Sequence, residues 1–266
     1  MKITRYRNPD GRTGYAGATD DHEFFALKGD LFGGFEMTGE KVTIEKQLAP
    51  IDPPIIMAIG LNYRQHAEES GLPAPEYPIL FIKPGSAVQH PRDPIVLPAT
   101  TKKDEVDYEC ELAVVIGKTC KNASREEALD YVLGYTCAND VSARDWQLKK
   151  GGGQWCRGKS FDTFAPLGPC LVTADEIPNP NDLRIRTVLN GDTVQDWNTR
   201  DMIFDVPSLI AFLSEGTTLQ PGTVIMTGTP QGVGMARKPP VWLKAGDSVT
   251  VIIENIGALT NPVIEE

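Results

Sequence analysis

Apolar residues along this chain fall in short runs bounded by Gly, Pro, Asn and Asp, the pattern of buried or half-buried strands. Ile55 to Gly60, Leu80 to Ile82, Ile95 to Leu97 and Thr223 to Met226 are runs of this kind. Arg184 to Leu189 and Ser248 to Glu254 read the same way, with Asn190-Gly191 as a hairpin turn after the first and Gly246-Asp247 before the second. Residues 1 to about 50 alternate β-like pieces with turns at Asp10-Gly11 and Gly33-Gly34, and Pro50, Pro53 and Pro54 then punctuate the chain. The pattern divides it into a small β-rich N-terminal domain, 1–52, and a larger domain, 53–266. Helices are few. Asn62 with Gln65 predicts a capped helix to about Ser70 that Gly71 and Pro73 stop, and Ser124 with Glu127 predicts another to about Val132. Ser142 with Asp145 predicts a third, carrying Trp146 and Gln147, and a fourth lies near Pro207 to Leu213. Without βαβ alternation, the fold class is α+β and strand-rich.

One predicted strand is different from the rest. In Asp107 to Gly117 the side chains of Asp107, Glu109 and Glu111 project to one face, while Tyr108, Cys110, Leu112 and Val114 project to the other. The apolar run from Leu112 to Ile116 belongs in an interior, where like-charged carboxylates without a partner are costly. A cation is needed there. Gly134 to Asn139 reads as a strand whose end delivers a further acid, Asp140. Three carboxylates from Glu109, Glu111 and Asp140, with no Cys or His cluster among them, suit a hard, oxygen-preferring ion such as Mg²⁺ or Mn²⁺.

Composition narrows the class. Lys and Arg number 26 against 36 Asp and Glu, a formal net charge of -10 that argues against a nucleic-acid surface. Five cysteines without a Cys-x-x-Cys pair suggest neither a zinc knuckle nor a redox motif. Met1 to Arg7 lacks the apolar core of a signal peptide, and no window approaches the ~20 apolar residues of a membrane span. The expected location is cytoplasmic, with the mitochondrion as the alternative.

Gly153 to Ser160 matches the phosphate-loop pattern G-x-x-x-x-G-K-[ST]. That motif needs a buried strand before it and a helix after it. Here a polar helix end precedes it, and Pro166, Gly168 and Pro169 follow, so a nucleotide site is rejected. Lys159 within it has Trp155, Phe161 and Phe164 nearby in sequence, which suggests a partly enclosed ammonium. His66 and Glu69 share a helix face as i, i+3 neighbours. On a short helix flanked by the Pro-rich loop Leu72 to Pro78 they form a candidate acid/base pair on a lid. His22 and His90 have no such partner. Thr227 to Gly234 is a turn-dense loop, either a plain connection or a cradle for an anion.

Taken together, Gly60 to Glu69, Asp107 to Lys118, Asn139 to Gln147, Gly158 to Phe164 and Thr227 to Gly234 resemble, in order, the motifs of the fumarylacetoacetate hydrolase superfamily. Ser142 to Gln147, Gly158 to Pro169 and Arg237 to Asp247 are most similar to its domain-containing protein 2 branch, whose members are oxaloacetate tautomerases. The resemblance implies a mixed, multi-layer β-roll with a small N-terminal domain, and a homodimer. It also implies roles: Glu109, Glu111 and Asp140 as metal ligands, His66 and Glu69 as the lid dyad, and Lys159 beside the metal. Gln147 would lie near a substrate oxygen and Thr229 would hold a substrate carboxylate, while Asp107 has no ligand role and stands behind the ligands.

The chemistry that follows is that of a small 2-oxo acid. Chelation through a carboxylate oxygen and the C2 oxygen lets the metal stabilise an enolate as a proton leaves or joins C3. Tautomerisation of oxaloacetate leads, and hydrolysis of acylpyruvates or decarboxylation of oxaloacetate uses the same enolate. A metal-binding protein without catalysis is the reading from another class, and the presence of His66, Glu69 and Lys159 counts against it.

Overall fold

Strand register explains why the acids meet. The computed structural model describes residues 1–19, 23–101 and 105–266, so His22 lies outside the described residues. At its centre the strand Cys110–Ile116 is wholly buried. It pairs antiparallel with Val132–Asn139 on one side and with Val224–Met226 on the other. Cys110, Leu112, Val114 and Ile116 join one apolar cluster and Ala113 and Val115 another, so both faces are covered.

Val224–Met226 in turn runs parallel to Ile56–Gly60, which pairs with the edge strand Ile79–Lys83. In the other direction Val132–Asn139 continues through Ala165–Thr173 to Lys2–Arg7. Lys2–Arg7 carries Thr13–Ala18, Phe24–Asp30 and Gly34–Lys41 onward, so the N-terminal strands extend the same mixed, twelve-stranded sheet. A second sheet of five strands, ordered Asp192–Asn198, Arg184–Leu189, Ser248–Ile253, Gly257–Glu265, Ile95–Leu97, packs against it. The strand-rich α+β class expected from the hydrophobic pattern is the one observed.

The consequence for function is directional. Cys110 begins its strand, whereas Asn139, Met226 and Gly60 end theirs, and the pairings place these four points at one end of the sheet. Everything attached there faces the same space. Glu109 precedes Cys110, Asp140 follows Asn139, Thr227 follows Met226, and the helix Arg64–Glu69 follows Gly60.

Four local expectations are corrected. Asn62 does not cap the helix, whose first position is preceded by Tyr63 without a side-chain cap. Instead the buried Asn62 amide donates to the carbonyls of Phe204 and Thr227 and accepts from Phe204 N–H, stitching distant segments together. Asp201 serves the helix start from outside, its Oδ2 accepting from Gln65 N–H at 3.0 Å. Ser124 and Glu127 do form reciprocal bonds, but only a 3₁₀ turn Ala128–Tyr131 follows, because the sheet claims Val132 onward. Ser142–Ala143 is a short strand against Val106–Asp107, and the helical element comes later as the π-helical turn Trp146–Lys150. The fourth concerns the acid strand itself. It breaks at Tyr108-Glu109, so Asp107 belongs to a separate two-stranded pair.

Candidate active site

Glu109 is fixed by its backbone before its side chain acts. Its N–H donates to Asn139 Oδ1 at 3.0 Å and its carbonyl accepts from Asp140 N–H at 2.9 Å. With Cys110 opposite Asn139, these bonds bring Glu109, Glu111 and Asp140 together, all buried, with one oxygen of each within 4.8 Å of the others.

Cations compensate two of the three. Lys159 Nζ bridges Glu109 Oε2 at 2.8 Å and Asp140 Oδ2 at 2.6 Å, with the Phe81 ring centroid 5.0 Å away. Arg144 Nη2 meets Glu109 Oε1 at 2.7 Å and Asp107 Oδ2 at 2.8 Å. Lys83, fully buried on the edge strand, directs Nζ to Asp140 Oδ1 and to the Val141 carbonyl. Glu111 is the exception. Among the described residues it has no ion-pair partner, and Oε2 accepts only from Gly228 N–H at 2.8 Å.

The protonation equilibria follow this division. Burial raises the Glu109 pKa, but the Lys159 ammonium and the Arg144 guanidinium outweigh it and hold the carboxyl well below its usual range. For Glu111, burial and then the neighbouring Asp140 and Glu109 carboxylates all push the pKa well above 4.5. Burial lowers the Lys159 pKa, and its two carboxylates more than reverse that, whereas for Lys83 burial wins over Asp140. The local imbalance is centred on Glu111, where a hard cation would compensate it.

Three groups at the site were not assigned from the sequence: Lys83, Arg144 and Gln195, whose Nε2 donates to Thr229 Oγ1 at 2.9 Å. Lys83 had a local signal, since it stands two residues after the buried Phe81 and so shares its face. Arg144 lies inside the Asn139 to Gln147 motif without a role, yet it also donates from Nη1 to Oε1 of Gln147 at 2.9 Å, which leaves Nε2 as the donor of that cavity-lining amide. Gln195 carries no sequence signal at all. Lys83→Met removes one partner from a buried pair, and we expect a loss of about 3–5 kcal/mol in stability by urea unfolding in EDTA. A loss below about 1 kcal/mol would show that Asp140 is adequately held by Lys159 alone.

The predicted enclosure of Lys159 is observed, with partly different neighbours. Phe81 and the carboxylates enclose the ammonium, with the expected Trp155 packed edge-on against Phe81, while Phe161 packs with Trp146, Arg157 and Phe164. The phosphate-loop reading fails here as well, because Cys156–Lys159 is one helical turn and its lysine is bound to acids.

His66, Glu69, Gln147, Lys159 and Thr229 line one cavity of about 380 Å³ with Glu109 and Glu111. Arg144 and Ser70 line it too, and Leu61, Leu72, Leu148, Trp155 and Met235 give the wall its apolar part. His66 Nδ1 lies 3.1 Å from Glu69 Oε2, and Glu69 Oε1 accepts from Gly232 N–H at 2.9 Å. The loop after Thr227 is a cradle for anions, although those it holds are the protein's own. Gly228 N–H serves Glu111, Gly232 N–H serves Glu69, and Gly234 and Met235 N–H serve Asp107. Gly228 and Gly232 both have a φ of +96, and a Cβ at Gly228 would lie 2.7 Å from that of Asn62. Asp107 thus stands behind the acids, touching Arg144 and this loop.

A mixed β-roll with buried carboxylates at one end of its central strands, facing a His–Glu pair on a short helix, defines the class. Residues 55–264 match the fumarylacetoacetate (FAA) hydrolase C-terminal family, and the chain belongs to that family. Oxaloacetate tautomerase fahd2, mitochondrial, of Xenopus laevis is 55% identical over 218 residues, 82% of this chain and 68% of that one. The human oxaloacetate tautomerase FAHD2A, mitochondrial, is 49% identical over 218 residues, 82% of this chain and 69% of its own. Among solved structures, fumarylacetoacetate hydrolase from psychrophilic Exiguobacterium antarcticum aligns with a TM-score of 0.89 at 37% identity over 100% of both chains. The 2-hydroxyhepta-2,4-diene-1,7-dioate isomerase from Mycobacterium marinum aligns at 0.85 and 39% identity, over 100% of this chain and 99% of that one. No helix among the described residues is long and apolar enough to cross a membrane.

Proposed function

We propose that this chain is a divalent-metal-dependent oxaloacetate tautomerase, an isomerase interconverting the enol and keto forms of a small 2-oxo diacid. The observation that carries the reading is a buried three-carboxylate cluster, two members of which, Glu109 and Glu111, line one cavity with the His66–Glu69 pair and the Lys159 ammonium. The names of the similar tautomerases supply the substrate.

Mg²⁺ or Mn²⁺ suits the donor set, since all three donors are carboxylate oxygens and Glu111 has no ion-pair partner among the described residues. Glu109, Glu111 and Asp140 would hold it. A bound divalent cation supplies Lewis-acid stabilisation of negative charge at the C2 oxygen. His66, oriented through Nδ1 by Glu69, moves the proton at C3, with Lys159 as the other group able to carry it. Gln147 Nε2 donates to a substrate oxygen and the Thr229 hydroxyl to a substrate carboxylate, while Leu61, Leu72 and Leu148 limit the water that reaches C3. The working unit is a homodimer, and the net charge of -10 disfavours a nucleic-acid partner.

The second reading is C–C hydrolysis of acylpyruvates, with oxaloacetate decarboxylation beside it. The apolar wall of the cavity favours the former, because an acyl substituent would find contact there. The decay of enol-oxaloacetate absorbance, followed with protein alone, with Mn²⁺ and with EDTA, tests the proposal. Metal-dependent acceleration is expected, and its absence would overturn it. Breakdown of acetylpyruvate and of oxaloacetate in the same samples separates the second reading.

A further inference from the structure

Thr229 Oγ1 has a buried partner that no part of the proposed chemistry uses. Gln195 lies on Asp192–Asn198, where Thr187 pairs with Gln195 and Val188 with Thr193, leaving Val194 as the extra residue of a bulge. Val194 and Gln195 are both buried in a strand whose neighbouring residues on either side, Thr193 and Asp196, are exposed, and the Gln195 side chain turns inward.

The orientation of its amide is fixed from both ends. Oε1 accepts from the Cys110 backbone N–H at 3.0 Å and from the Thr187 hydroxyl at 2.7 Å. Nε2 faces the Pro230 carbonyl at 2.9 Å and Thr229 Oγ1 at 2.9 Å. A backbone N–H can only donate and a carbonyl can only accept, so the amide cannot be flipped. Nε2 therefore donates to Thr229 Oγ1, and the one hydrogen of that hydroxyl is left for another acceptor. The Cys110 thiol is the other group beside it. A thiol sulfur is only a weak acceptor. A carboxylate entering the cavity outcompetes it.

We propose that Gln195 is a positioning residue that makes Thr229 a hydrogen-bond donor to an oxyanion in the cavity. The inference rests on the reading of Thr229 as the contact to a substrate carboxylate. It also explains the bulge, whose inward turn brings the amide between the start of the central strand and the loop that carries Thr229.

The test is a double-mutant cycle on oxalate binding to the Mn²⁺-loaded protein by calorimetry, using Gln195→Met and Thr229→Val. Gln195→Met should weaken oxalate about tenfold, the effect of one charge-assisted hydrogen bond, while Mn²⁺ affinity measured alone changes less than about twofold. In the Thr229→Val background the same change should cost less than about twofold. An undiminished loss in that background, an unchanged oxalate affinity or a parallel loss of Mn²⁺ binding would overturn the inference. Should thermal melts show that Gln195→Met does not fold, Gln195→Glu carries the test. Its carboxylate accepts from Thr229 and withdraws the donor, so oxalate should weaken by at least the same factor, and an unchanged affinity would overturn the proposal. A wild-type protein that shows the expected oxalate cycle but no tautomerisation of oxaloacetate removes the tautomerase reading and leaves the role of Gln195 standing.

Discussion

Glu111→Gln should abolish metal-dependent turnover and at the same time raise the melting temperature of the metal-free protein. Loss of a group merely supporting a metal ligand costs about 10–100-fold, so removal of a ligand is expected to exceed a hundredfold or so. The stabilisation has a separate cause. Glu111 is buried beside Glu109 and Asp140 without an ion-pair partner among the described residues, so its charge opposes folding until a cation arrives. Each kcal/mol recovered is worth about 2–4 °C in a chain of this order of size. Because burial and the two neighbouring acids raise its folded-state pKa above 4.5, its contribution favours the fold at pH values below that and is lost as pH rises through the raised value. The gain from Glu111→Gln in EDTA should accordingly grow with pH above about 4.5. Glu109→Gln should do the opposite, losing about 3–5 kcal/mol because Lys159 and Arg144 each lose a buried partner. Thermal melts of the two variants in EDTA decide the matter. If Glu111→Gln melts below wild type, its charge is compensated in a way the geometry does not contain, and full metal-dependent turnover in that variant would remove it from the ligand set.

The second large effect is expected at the dyad. His66→Ala should lower kcat about 10²–10⁴-fold and leave Mn²⁺ affinity unchanged, because His66 touches Glu69 rather than the carboxylate cluster. Glu69→Gln is the sharper probe. Glutamine can still accept from Gly232 N–H through Oε1, but its Nε2 then donates to His66 Nδ1 and forces the proton of the imidazole onto Nε2. A tautomer reversed in this way costs about 10⁴-fold in the serine-protease triad, and a loss of the same order is expected here. Steady-state rates with metal-binding calorimetry on the same samples check both. Unchanged tautomerisation and hydrolysis in either variant would reduce the pair to a structural contact.

How far the sequence could be read depended on whether a residue's partner was near in the chain. The run Leu112 to Ile116 was legible as a buried strand because its composition alone required an interior. Glu109, Glu111 and Asp140 were legible as a cluster because an acid beside such a run, and another at a strand end, need a common cation. Local capping signals were the least dependable. Asn62 and Ser142 have the residue types of helix starts, yet long-range hydrogen bonds to Phe204 and Thr227 and strand pairing with Asp107 took them instead. Lys83 and Arg144 escaped notice because a basic side chain is usually exposed, and only the folded sheet shows that both reach the acids. A bulge such as the one at Val194 leaves no trace in residue type, so Gln195 could not have been found.

The one-ended arrangement of the four central strands sorts the chain into parts that tolerate change differently. Longer loops in 61–78 or 227–241 would alter the cavity wall at little entropic cost, since doubling a loop's length costs only about 0.6 kcal/mol. One residue inserted within Cys110–Ile116 or Val132–Asn139 would instead slip the register and turn Glu109, Glu111 or Asp140 to the other face. Substrate preference can therefore drift among relatives by insertion and deletion at the rim, while the metal cluster below can change only by substitution in place.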